Sequence, residues 1–206
     1  MSTQDCKGAF AAVFATNKGK ELASAIDACS PKCACQHNTV SEYSIGPIGD
    51  DEYLIRLVIS PQHVRIKKTA TTPKDGVLSQ AESSGMSIFR DSASNEELKA
   101  VAEKLVNGAR SNGNAKAGLF GVLRFRCGDA RDYFPDDEED PVYCIYDTAK
   151  ADLPSHGDTF QRVNGFDQPR RDLRRKGLFS VLEKTFVPVD KFRDGLLASL
   201  APPSGQ

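Results

Sequence analysis

Cys29, Cys33, Cys35 and His37 fall within nine residues, and three thiols with an imidazole are the donor types that hold zinc tetrahedrally. Zinc modules usually bring two short ligand pairs together from separate places, whereas four ligands on one short stretch must curl tightly around the ion. Two expectations therefore stand side by side. One is a metal site on Cys29, Cys33, Cys35 and His37, with zinc as cofactor; the other is a cysteine-rich helix end with ordinary reduced thiols. Six cysteines in 206 residues are too few for a disulfide-dense secreted scaffold, so reduced thiols are expected.

A second group of residues could handle anions or protons. Arg56 interrupts an apolar run, and a buried guanidinium needs a carboxylate, a phosphate or a comparable acceptor set; an internal salt bridge and a ligand would serve equally. His63 lies on the loop that follows and matters only where it converges with the others. In Gly85-Met86-Ser87-Ile88-Phe89-Arg90-Asp91, Ser87 and Arg90 could present donors to an anionic ligand, or the segment is a bend before the next helix. Pro154-Ser155-His156-Gly157-Asp158 gathers a hydroxyl, an imidazole and a carboxylate, the groups of acid, base and nucleophile chemistry. Neighbours in sequence rarely form a triad, since working partners converge from separate elements; pairing of His156 with Asp147 or with a more distant residue is the alternative. The basic run Arg170, Arg171, Arg174, Arg175 and Lys176 could meet a phosphate backbone, but it lacks interleaved aromatics for stacking and reads as a solvated helix face.

The elements that must position these residues follow from periodicity and punctuation. Phe10, Val13 and Phe14, then Leu22, Ala25 and Ile26, predict an N-terminal helix with a weak point at Gly19 and an end near Pro31. Residues 43–52 read as a loop, Tyr53 to Ile59 as a mostly buried strand, and Val64 to Thr72 as an exposed hairpin arm. Ser94 with Glu97 forms a capping box ahead of Leu98, Val101, Ala102, Leu105 and Val106. Leu119 to Phe125 and Val142 to Tyr146 predict strands, the latter central, and Asp136 to Asp140 a solvated acidic loop. Leu178, Val181 and Leu182 continue the basic run as a helix, and a short helix is predicted over Asp190 to Leu200. The fold class expected is α+β, a single mixed or antiparallel sheet with flanking helices. Residues 1–42 would form the N-terminal helix with its Cys-rich end, 43–165 the core, and 166–206 a basic helical region, all in one compact domain.

Hydrophobic residues make up 39% and charged residues 27%, a balance that supports a folded core. A formal net charge of −1 provides no long-range field toward nucleic acid or an anionic membrane, so such a partner would need a local patch. The apolar run Gly8 to Ala15 lacks the basic start and length of a secretory signal, and no segment approaches a membrane span. A cytoplasmic location follows by elimination. The sequence has no phosphate-binding glycine loop, zinc-protease helix motif or nucleophile elbow.

Arg56 to Val64, Gly85 to Asp91, and the span from Phe120-Gly121-Val122 through Ala130-Arg131 to Pro154-Ser155-His156 together resemble a group of small uncharacterised bacterial proteins. That group carries an Arg-rich first strand, a Gly-x-Ser-x-x-Arg-like segment, a Gly-Val strand ending in Ala-Arg, and a Pro-Ala/Ser-His-Ala turn. The likeness covers about the central half of the chain; here Gly157 stands where the group usually has alanine, and the cysteine-rich N-terminus and basic C-terminus have no counterpart. The resemblance implies that Arg56, Ser87, Arg90, Arg131 and His156 converge. The expectation for function is a bacterial binding or accessory protein whose arginine-lined polar site recognises a small anion or a protein partner. The alternative is a small enzyme or toxin acting on NAD or another nucleotide, analogous to RES and ADP-ribosyltransferase-like folds, with Arg56 and Arg90 on phosphates and His156 as acid or base; the matching catalytic glutamate is missing. A third expectation makes the N-terminal cysteines a metal-stabilised docking module for a larger complex.

Overall fold

The computed structural model describes residues 2–135 and 138–203. In chain order its first elements are helices α1 (Thr3–Thr16) and α2 (Glu21–Cys29) and strands β1 (Tyr53–Ser60), β2 (Val64–Ile66), β3 (Thr71–Pro73) and β4 (Met86–Arg90). Helix α3 (Asn95–Ser111), strand β5 (Gly118–Arg126), the short helix α4 (Cys127–Arg131), strands β6 (Tyr143–Tyr146) and β7 (His156–Gln161), helix α5 (Gln168–Leu182) and strand β8 (Phe186–Pro188) complete them. Six strands form one antiparallel sheet in the order β6-β7-β4-β1-β5-β8, and β2 with β3 forms a separate exposed ribbon. The fold is therefore α+β.

β1 takes the interior of the sheet because it is apolar on both faces. Leu54 and Val58 face a core closed by Leu178 and Leu182 of α5 and by Val77, Leu78 and Ala81 of the 3₁₀ stretch Asp75–Glu82. Ile55, Leu57 and Ile59 face α3, where Leu98, Val101, Ala102 and Val106 form the buried stripe that its periodicity predicts. Ser94 caps that helix by accepting from the Glu97 amide at 3.1 Å. Glu97 departs from the reciprocal box: its carboxylate accepts from the Ser155 hydroxyl at 2.6 Å and amide at 3.2 Å, and so fixes the start of β7.

The expected N-terminal helix is two helices. Asn17 leaves α1 in extended backbone and Gly19 sits at φ 58°, a left-handed conformation that glycine adopts without a Cβ penalty. The chain folds back, and Cys6, Phe10, Leu22, Ala23 and Ile26 close over Tyr146, Phe160 and Val163 at the β6–β7 end of the sheet.

The reduced-thiol and zinc expectations are both overturned. Cys6 is joined to Cys35 and Cys33 to Cys144, with Cα–Cα separations of 5.7 and 5.2 Å. Only Cys29 and Cys127 remain free, and His37 is exposed. Among the described residues no group of three or more His, Cys, Asp or Glu side chains could hold a metal ion. The physical reason lies in the turn: Lys32 and Cys33 adopt φ of 53° and 59°, which sends Cys33 toward β6 while Cys35 faces α1. The cysteines are spent in pairs across elements, and the metal-stabilised docking module falls with the site.

The basic and acidic runs also differ from expectation. Arg174 is buried, with its guanidinium 3.5 Å above the Phe166 ring and bonded to the Glu138 carboxylate and, at 2.8 Å, the Arg162 carbonyl. Arg170 also meets Glu138, and Arg175 meets Asp75, Glu82 and Asp172. These arginines staple α5 to the body, and the run offers no row of free guanidinium groups to a phosphate backbone. Of the acidic loop, Asp136 and Asp137 lie outside the described residues, while the Glu138 side chain is turned inward onto Arg174 and Asp140 pairs with Lys32 and Arg162. The predicted last helix is two 3₁₀ turns, Phe192–Gly195 and Ala198–Leu200. No helix among the described residues is long and apolar enough to cross a membrane.

Alkylation of the denatured, unreduced protein is expected to label Cys29 and Cys127 alone, read by mass spectrometry; labelling of Cys33 or Cys35 would contradict the pairing. Replacing Cys33 and Cys144 together by serine is expected to lower the unfolding free energy by about 2–5 kcal/mol in urea melts.

Candidate functional site

Arg56 is buried and sits where the sheet opens. The β1–β4 ladder holds at Leu54↔Arg90 and Ile55↔Phe89, and beyond it the Arg56 guanidinium fills the gap. Its Nη1 donates to the Ser87 carbonyl at 3.1 Å, its Nε to the Val77 carbonyl at 3.2 Å, and its Nη2 to Gln80 Oε1 at 2.8 Å. Burial lowers its pKa to about 10, opposed by the field of Asp158. It remains a cation at neutral pH, held by dipoles of the fold.

Arg90 and Arg131 are likewise engaged within the chain. Arg90 Nη1 meets the Glu52 carboxylate at 2.6 Å, and its Nη2 meets Asp147 at 3.2 Å and the Gly46 carbonyl. Arg131 donates to Asp50 at 2.6 Å and to the carbonyls of Ile48, Gln36 and Ile145 at 2.8 to 2.9 Å. Between them these two arginines pin the loop of residues 43–52 to the sheet. His63 accepts the Ile59 amide on Nδ1 at 3.1 Å. Burial first, then the Arg56 and Lys74 charges, depress it to about 3. A neutral, buried imidazole that accepts a backbone amide is a structural part of the bend after β1.

His156 is paired with Asp158 and Thr148, while Asp147 goes to Arg90 and the Ser44 hydroxyl. Its Nδ1 lies 3.2 Å from the Thr148 carbonyl, which can only accept, so Nδ1 carries a hydrogen there. Nε2 faces Asp158 Oδ1 at 3.8 Å. The Thr148 hydroxyl donates to Asp158 Oδ2 at 2.8 Å, and the Ser87 hydroxyl donates to Oδ1 at 3.4 Å. Ser87 and Asp158 are register partners on β4 and β7, which places both side chains on one face.

Four groups thus converge on Asp158, among them Ser87, His156 and, from behind the Ser87 carbonyl, Arg56. Of the residues expected to handle anions or protons, Ser87 lines the cleft, whereas Arg56, His63, Arg90, Arg131 and His156 are buried. The residue that sequence reading left out of the site is Asp158. Its signal was the two-residue step from His156, which puts both on one face once 156–161 is a strand; read as a turn, the segment hid it. Gly157 between them has no room for a side chain, since a Cβ would lie 2.8 Å from Ile48 Cδ1 and 2.9 Å from the Tyr146 carbonyl.

Ser87, Thr148 and Asp158 form the polar floor of a cleft of about 640 Å³. The N-terminal helices supply one wall with Ala11, Phe14 and Leu22, and Val40 to Tyr43 supply another. Lys7 and Lys150 stand at its rim. Asp158 is 8% exposed, so the floor is a nearly desolvated carboxylate beneath an apolar wall. In comparisons with models of protein families, with curated proteins and with solved structures, the chain matches none.

His63 gives the fold a proton linkage. The unfolded imidazole takes up a proton below about pH 6.5 while the folded one stays neutral down to about pH 3, so the unfolded state binds more protons in that window. Stability therefore falls as pH falls through it, by up to about 1.4 kcal/mol per pH unit. Urea melts between pH 7 and pH 5 are expected to show a shallower decline for His63→Gln, whose amide oxygen can still accept the Ile59 amide; an unchanged slope would remove His63 as the source.

Proposed function

We propose that the protein binds a small organic molecule in the cleft floored by Asp158, Ser87 and Thr148, and that it works in an oxidising compartment. The observation that carries the binding reading is the buried Asp158 carboxylate at the base of a cleft of about 640 Å³, within the size range of small-molecule sites and built as such sites are, with apolar walls and a few convergent polar groups. Recognition moves from the arginines expected in sequence to this carboxylate, because the guanidinium groups of Arg56, Arg90 and Arg131 are buried and bonded within the fold.

The same geometry favours binding over turnover of NAD or another nucleotide. Phosphates in this cleft would meet a carboxylate floor and no arginine. The contact order Ser87–Asp158–His156 also differs from the nucleophile–imidazole–carboxylate order of acyl transfer, in which the imidazole touches the nucleophile. The compartment follows from the two disulfides, which persist where thiols are not held reduced.

Ligand-observed NMR against a library of small polar organic fragments tests the reading. Fragments are expected to bind the wild type, to bind more weakly to Ala11→Trp, whose indole narrows the cleft from one wall, and to bind about tenfold more weakly to Asp158→Asn, the cost of losing a charge-assisted hydrogen bond. Fragments held equally by Ala11→Trp would put binding elsewhere, and a folded wild type that holds none would overturn the proposal.

A further inference from the structure

The cleft separates its charges by depth. Asp158 lies at the floor, and its nearest potentially cationic side-chain group among the described residues is His156 Nε2 at 3.8 Å, beyond hydrogen-bond distance. Arg56 acts on it only through space. A carboxylate accepts about four hydrogen bonds, and the two donated by Ser87 and Thr148 leave it acceptor capacity toward the cleft. The hydroxyl oxygens of Ser87 and Thr148 add further lone pairs beside it. The floor is therefore rich in acceptors and poor in donors, and buried charges of this kind are normally matched by a cation.

At the rim the pattern reverses. Lys7 is half-buried and Lys150 exposed, and neither forms an ion pair among the described residues. The rim also carries one carboxylate, Glu42. Between floor and rim the wall is apolar, formed by Ala11, Phe14, Leu22 and Val40.

Resting on the reading of this cleft as a binding site, we infer that its ligand is a zwitterion with an apolar body: a short apolar peptide entering amino end first. Its ammonium group meets Asp158, Ser87 and Thr148, its side chains lie against Phe14 and Leu22, and its carboxylate reaches Lys7 and Lys150. The volume of about 640 Å³ admits about two or three residues. An ammonium has three donors and no acceptor, which matches a floor that only lacks donors. A fatty acid, whether its carboxylate met Asp158 or the rim lysines, offers the floor no donor, and an uncharged apolar molecule likewise leaves the carboxylate unmatched.

Calorimetric titration with the dipeptide phenylalanyl-leucine, its amino-acetylated form and its carboxy-amidated form separates the two ends with one change each. The free dipeptide is expected to bind, acetylation to weaken it by about tenfold or more, as a lost charge-assisted hydrogen bond does, and amidation to weaken it less, by about threefold, as for an exposed pair. Lys7→Ala with Lys150→Ala should abolish the effect of amidation and preserve that of acetylation. Equal binding of free and acetylated dipeptide, lost in Ala11→Trp, would overturn the zwitterion inference and leave the cleft as the site. Failure of all three peptides while fragments still bind in the cleft would do the same, whereas peptide binding untouched by Ala11→Trp would overturn both readings.

Discussion

The link between Cys33 and Cys144 ties residues 111 apart in sequence and decides where the N-terminal helices sit. Alone, α1 buries little more than Cys6 and Phe10 and has no strong apolar stripe, so hydrophobic burial holds it weakly. The disulfides replace that missing adhesion: Cys33–Cys144 anchors the turn after α2 to β6, and Cys6–Cys35 anchors α1 to the same turn. Phe10 can then meet the Tyr146 ring edge-on at 4.7 Å, and Tyr146 donates its hydroxyl to Ser30 at 3.0 Å. The part of the cleft wall on α1, Ala11 and Phe14, depends on this clamp, whereas Leu22 on α2 is also held by the Ala23 amide on the Ser83 carbonyl and by Asp27 on the Val163 and Asn164 amides.

A second constraint runs through the rest of the molecule: guanidinium groups placed inside a sheet must find acceptors there. Arg56 uses carbonyls exposed where β1 and β4 part. Arg90 and Arg131 draw the 43–52 loop onto the sheet through Glu52, Asp147 and Asp50. Arg174 takes Glu138 beneath α5. In each case a charge that looked free in sequence is structural, because its partner lies far along the chain. Asp158 is the exception in kind. It is buried beside hydroxyl groups and opens on a cleft, which is why it, and not an arginine, marks the site.

Much of the scaffold was legible. The apolar run Tyr53 to Ile59 identified a buried strand, because a strand covered on both faces need not alternate, whereas Val142 to Tyr146, expected to be central, lies at the edge of the sheet, where the N-terminal helices supply its cover. Ser94 and the spacing of Leu98, Val101, Ala102 and Val106 located α3, since capping and helical periodicity are local properties. The α+β class, the hairpin arm at Val64 to Thr72 and the glycine break at residue 19 also rest on neighbours within a few positions. Ser87 and His156 both lie against Asp158.

What the sequence by itself determined is therefore the set of elements and the presence of several ionisable groups within or beside apolar segments. The tertiary structure alone decided their partners. Cysteine spacing suggested a local cluster, yet thiol pairing depends on which backbones come within about 6 Å of one another, and a left-handed turn at Lys32 and Cys33 sent neighbouring thiols to opposite elements. Asp158 read as part of a turn until the register of β4 against β7 set it opposite Ser87. Burial and pairing are properties of distance in space, and the chain states them only after the sheet has closed.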